Sequence, residues 1–168
     1  MVLNNYWKAV RSLGLMYGGS GTFDSGMINV SGTAIPNLLT YISGTTSAGL
    51  WQIRTKGINA RVGKGNAAVT VNDYRLDDDC TASFDNYSVT HNLGIDNALT
   101  DVFTISGDNN TGSEITLTEV GITKTYSGQN EVSDSSTQEV MFVRLLLSNP
   151  VTIPAGGSFQ LSVKWEEK

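Results

Sequence analysis

The chain has a single cysteine, Cys80, in 168 residues. That excludes an internal disulfide framework and any zinc site built from several thiolates. Charge is scarce as well: 16% of residues are charged, and 16 acids outnumber 11 bases, for a net charge of −5. Phosphate neutralisation needs a positive surface, so no nucleic-acid partner is expected. No apolar run approaches the ~20 residues that a membrane helix requires, so no membrane partner is expected either. Asn4, Asn5, Lys8 and Arg11 interrupt the N-terminus where a signal peptide would carry its apolar core. The mature chain is therefore expected to start near Met1 and to be made in a cytoplasm.

Groups for chemistry are equally few. His91 is the only histidine, and no nucleophile-elbow motif lies near it. Cys80 follows Asp77-Asp78-Asp79, whose carboxylates disfavour a thiolate, so it reads as a structural cysteine. Asp73 and Asp77–Asp79 lack the Asp-x-Asp-x-Asp-Gly spacing of a calcium loop and read as a solvated acidic turn. The glycine-rich VGKGNAA, residues 62–68, lacks the Gly-Lys-Ser/Thr ending of a phosphate loop, and no helical pattern follows it. A β-turn is the better reading. No catalytic residue, cofactor or metal is expected.

What the chain has in plenty is Gly, Ser, Thr and Asn, the make-up of an all-β protein with many turns. The C-terminal stretch is the clearest part. Val140 to Leu147 is apolar except at Arg144, which suits a strand covered on both faces, with Asn149-Pro150 ending it. Val151-Thr152-Ile153 follows, then a turn at Ala155-Gly156-Gly157. In the last strand Phe159, Leu161, Val163 and Trp165 alternate with Ser158, Gln160, Ser162 and Lys164, the period-2 pattern of a half-buried strand. Phe142, Leu145, Phe159, Leu161, Val163 and Trp165 are the predicted core.

Upstream, Leu50–Val62 reads as a strand with Trp51, Ile53, Ile58, Ala60 and Val62 inward and a bulge at Gly57. Arg54, Lys56 and Arg61 then face outward and, with Lys64, make a stretch of four bases, opposite in charge to the aspartates downstream. Weaker strands fall at Ser83–His91 and Leu99–Ser106. The run Gly107–Gly112 predicts a turn that joins Leu99–Ser106 and Glu114–Thr123 as a hairpin. A phase break at Glu119-Val120 predicts a bulge, and Ser127–Glu139 reads as an acidic surface loop. A glycan-binding face would need exposed aromatics; Tyr41, Tyr74, Tyr87 and Tyr126 are weak candidates.

The first 48 residues differ from the rest. Tyr6, Val10, Leu13 and Tyr17 follow Asn4-Asn5 at three- and four-residue spacing, Trp7 and Leu15 widen the stripe, and together they predict a short amphipathic helix. After Tyr17 the chain is rich in Gly, Ser and Thr, with apolar islands at Ile28 and Val30 and at Leu38, Leu39 and Ile42. Islands that small cannot form a core alone, and a pure linker would not need them. The expected organisation is an N-terminal arm (1–48) and an antiparallel β-sandwich (49–168), immunoglobulin-like or jelly-roll-like, of about seven to nine strands. Tyr6, Trp7, Val10, Leu13, Ile28, Val30, Leu38, Leu39 and Ile42 are the expected assembly contacts.

Three stretches resemble a family. NTGSEITLTEVGI (110–122) and FVRLLLSNPVTIPAGGSFQLSV (142–163) are similar to a recurrent pattern of tailed-bacteriophage virion structural proteins. VGKGNAAVTVNDYRL (62–76) resembles a further segment of that family, with Val71-Asn72 where a proline-containing turn is common. LNNYWKAV resembles the start of small phage virion proteins. The resemblance spans roughly residues 58–164. It implies a non-enzymatic, multi-copy virion protein, a capsid decoration or head-fibre component whose partners are other virion proteins and further copies of itself. The alternatives are a tail or collar component, or a carbohydrate-binding module that takes a host glycan.

Overall fold

The computed structural model describes residues 1–8, 27–35, 58–93, 100–129 and 135–166. The fold is mostly antiparallel β, with one short helix at residues 4–8. The strands are β1 (Met27–Ile28), β2 (Ala34–Ile35), β3 (Ile58–Gly63), β4 (Phe84–Leu93), β5 (Thr100–Asn109), β6 (Ile115–Gln129), β7 (Ser135–Ile153) and β8 (Ser158–Glu166). They form a β1-β2 hairpin and two three-stranded sheets, ordered β3-β6-β7 and β4-β5-β8. Contacts divide the chain into two compact units, and β6 and β7 contribute to both.

One unit comprises Asn59–Ala67, Leu76–Val120 and Leu145–Lys168. Here the two sheets pack face to face over Ala60, Val62, Phe103, Ile105, Leu117, Ile153, Phe159, Val163 and Trp165, all buried. The β8 alternation holds: Phe159, Val163 and Trp165 are buried, Leu161 is half-buried, and Gln160, Ser162 and Lys164 are exposed. On the central strand β5, Asp101, Phe103, Ile105, Gly107 and Asn109 are all inward.

The expected hairpin across 107–112 does not form. β5 pairs with β4 and β8, while β6 belongs to the other sheet. The strand continues through Gly107, where glycine serves packing rather than turning. A Cβ there would lie 3.1 Å from both Phe159 Cε1 and Phe84 Cβ. The Phe84 and Phe159 rings meet edge-to-face at 4.8 Å. The corner comes at Asn109, whose side chain is 1% exposed. Its Nδ2 donates to the carbonyls of Ser113, Ile153 and Pro154, and its Oδ1 accepts from the Thr111 N–H and hydroxyl. Those bonds carry the chain from one sheet to the other.

The other unit comprises Met1–Ile58, Ala68–Arg75 and Gly121–Arg144. Leu3, Tyr6, Met27, Ile35, Ile122 and Val140–Val143 are buried in it. From Glu119 to Lys124 every residue of β6 is buried, so the alternation gives way to coverage on both faces at the predicted phase break. The acidic loop is shorter than expected, because β6 runs to Gln129 and β7 begins at Ser135.

β7 also departs from the reading of its sequence. It is a single 19-residue strand that passes through Asn149 and Pro150 to Ile153. β7 lies at the end of its sheet order. An edge strand tolerates a proline where the nitrogen faces its unpaired side, because no ladder bond is lost there. Coverage on both faces is confined to Val140–Arg144; Leu146 is 40% exposed.

Candidate assembly surface

The N-terminal residues attach to β7 by backbone bonds. The Leu3 N–H donates to the Phe142 carbonyl at 2.8 Å, and the Arg144 N–H donates to the Met1 carbonyl at 3.2 Å. Val2 and Val143 face each other in an antiparallel bridge. Helix geometry then starts at Asn4 and turns Tyr6 inward, where its ring meets Phe142 edge-to-face at 5.6 Å. Asn4 and Asn5 do more than begin a helix. Asn4 Nδ2 donates to Asn72 Oδ1, and the Asn4 N–H donates to the Val71 carbonyl. Asn5 bonds both backbone groups of Ile28, donating from Nδ2 to the carbonyl and accepting on Oδ1 from the N–H. Its amide thus stands in for a neighbouring strand beside β1.

The β1-β2 turn is held in the same unit. Asn29 Oδ1 accepts from the N–H groups of Ser31 and Thr33, and its Nδ2 donates to Gln138 Oε1 at 2.6 Å. Gly32, at φ +87°, takes the left-handed conformation that glycine adopts freely, with Tyr74 above it. The Val30 N–H donates to the Glu139 carbonyl on β7.

The 68–75 loop completes this region. Asp73 accepts from Arg144 at 2.7 Å, and Arg144 is 3% exposed. That bond explains the lone charge in the apolar 140–147 run. Burial pushes the Asp73 carboxyl up, but bonds from Thr70 and Arg144 outweigh it and hold its pKa below the usual value.

Large apolar side chains are exposed on and beside this attachment. Trp7 is 58% exposed, Met1 56% and Val71 46%. Three of the four exposed large hydrophobics among the described residues therefore lie in this unit. Of the assembly contacts read from the sequence, Tyr6 is buried against its own chain, Trp7 is exposed, and Ile28 and Val30 are half-buried. Val10, Leu13, Leu38, Leu39 and Ile42 lie outside the described residues. Met1 and Val71 were missed; Val71 stands where the family pattern places a turn, a signal for exposure.

The remaining candidate sites resolve into structural bonds. Glu119 is fully buried, and its carboxylate accepts from the N–H groups of Gly65, Asp77 and Asp78. A Cβ at Gly63 or Gly65 would lie 2.6 or 2.5 Å from Glu119 Oε1. The glycines of VGKGNAA thus make room for an anion, but that anion is the chain's own carboxylate. Arg61 pairs with Asp79 at 2.6 Å and Lys64 with Asp78 at 3.5 Å, as the opposed charges suggested. Both pairs are solvent-accessible and contribute little stability, ~0–1 kcal/mol each.

Cys80 is buried, and its thiol pKa is pushed up to about 11, first by burial and only then by the neighbouring acids. His91 stacks flat on Phe103 at 4.6 Å, with Nε2 3.4 Å from Asp101 Oδ1. Among the described residues no group of three potential ligands could hold a metal.

For the glycan reading, a shallow depression of about 480 Å³ is lined by Asn86, Ser106, Asp108, Ser158, Phe159 and Gln160. It offers hydrogen-bonding groups, but Phe159 is 7% exposed and presents no open ring face. Tyr87 is committed to the Ala60 carbonyl, and the Arg75 guanidinium lies 5.5 Å from the centre of the Tyr74 ring. Tyr41 and the Tyr126 side chain lie outside the described residues. No protein-family model, curated protein or solved structure matches this chain.

Proposed function

We propose that this protein is a non-enzymatic structural component of a tailed-bacteriophage virion, present in many copies and attached through its N-terminal region. A capsid decoration or head-fibre role is the favoured position. The observation that carries the reading is the exposed apolar set Met1, Trp7 and Val71 beside an N-terminal segment fixed by backbone bonds. Exposed large apolar side chains, where they cluster, are typical of a protein–protein contact. Aromatic side chains such as Trp7 dominate the energetics of such contacts. The family resemblance of residues 58–164 names the kind of assembly. The carbohydrate-binding alternative has polar groups to draw on at Asn86 and Asp108 but, among the described residues, no open ring face in that depression.

Trp7→Ser tests the reading, because Trp7 is exposed and its loss leaves Leu3 and Tyr6 in place. In phage particles assembled with the variant as sole copy, quantitative mass spectrometry should show incorporation reduced at least tenfold. Normal copy number with Trp7→Ser would overturn attachment through this surface.

A further inference from the structure

We propose that residues 1–8 form an exchangeable segment: in the assembled state they add to β7 of a second copy of this chain, at the place they occupy here on their own β7. The inference rests on the multi-copy role proposed above and supplies its mechanism. The attachment of Met1–Leu3 is an edge addition made by backbone groups, which any copy of the segment reproduces. Tyr6 on Phe142, Asn5 on Ile28, and Asn4 on Val71 and Asn72 complete a socket built from β7, β1 and the 68–75 loop. A neighbour offers the same socket, so exchange conserves every one of these contacts.

The sequence places 18 residues between Lys8 and Met27. Such a connection spans at most roughly 60 Å, enough to reach an adjacent subunit. Docking on its own chain also leaves Met1, Trp7 and Val71 exposed.

The Val2–Val143 bridge gives a direct test. Directly opposed residues of an antiparallel pair lie ~4.5–5.5 Å apart at Cα, within the range a disulfide spans. A tagged chain carrying Val2→Cys is mixed with an untagged chain carrying Val143→Cys. The two are unfolded and refolded together at high concentration, then oxidised. Cys80 is replaced by alanine in both. A covalent heterodimer of tagged and untagged chains forms only when the segment crosses between copies. It should exceed, at least tenfold, the yield from pairing Val2→Cys with exposed Ser148→Cys.

A single chain carrying both Val2→Cys and Val143→Cys reports docking itself. If that chain oxidises internally while the mixed pair gives no heterodimer above the control, exchange is wrong and the segment docks only on its own chain. If neither links, the segment does not occupy β7 in solution and the proposal fails as well. Either failure leaves the virion role to be judged separately by particle incorporation.

Discussion

Glu119, Asn109 and Lys124 are polar side chains held in the interior of the fold. Glu119 satisfies three backbone donors that would otherwise be stranded around the glycine-rich loop. In Glu119→Gln one carboxylate oxygen becomes an amide NH2, and whichever way the amide turns, at least one N–H donor loses its acceptor. Urea unfolding should show a loss of ~1–3 kcal/mol, and Glu119→Ala should cost more. Equal stability of Glu119→Gln and wild type would remove the carboxylate from the account. Asn109 is predicted to be sensitive to charge. Asn109→Asp turns three donated bonds into contacts between oxygens, so it should destabilise at least as much as Asn109→Ala despite its near-identical shape. Lys124 is 5% exposed, and burial lowers its pKa to about 8. The folded state then binds fewer protons than the unfolded state between about pH 8 and the ordinary lysine range of about 10.4. The cost of holding Lys124 is therefore full below that window and falls as pH rises through it. Relative to wild type, Lys124→Met should gain more at pH 7 than at pH 10 in chemical denaturation. A difference that is constant with pH would contradict this.

The elements differ in how far their sequence announces them. β8 was legible because Phe159, Leu161, Val163 and Trp165 alternate on a sheet with one covered face, where period 2 follows directly from the pleat. The β5–β6 connection was not legible. Gly107–Gly112 has the composition of a tight hairpin turn, yet Gly107 is needed where two phenylalanines close over β5, and Asn109 satisfies carbonyls of residues 44 and 45 positions away. No local pattern encodes either demand. Pro150 misled for a related reason: a proline stops a central strand, and only the strand order reveals that β7 is an edge. The candidate surface was read in part. Spacing marked Tyr6 and Trp7 as one stripe, but which of the two turns inward depends on Phe142, 136 positions from Tyr6. Phe142→Ala should accordingly cost ~3–5 kcal/mol and loosen the N-terminal segment, while Leu161→Ala on half-buried β8 should cost less. Thermal melts with hydrogen exchange at Leu3 measure both effects. Equal losses for the two substitutions would mean that burial is misassigned.

At the scale of the whole molecule, the described residues make a β-sandwich unit and a second unit that carries the N-terminal attachment and most of the exposed large hydrophobics. The net charge of −5, with eight acids and one base between Asp96 and Glu139, predicts no binding to duplex DNA or to RNA at physiological salt. A micromolar, salt-sensitive mobility shift would refute that. A multi-copy virion part, as proposed for this chain, must be countable in particles. The most direct measurement is absolute quantification of the protein, by isotope-labelled peptides, in density-purified virus particles from a culture that carries its gene. The account predicts tens of copies or more per particle, in a fixed ratio to the major capsid or tail subunit. Absence from purified particles, with the protein abundant in the infected-cell lysate, would contradict it.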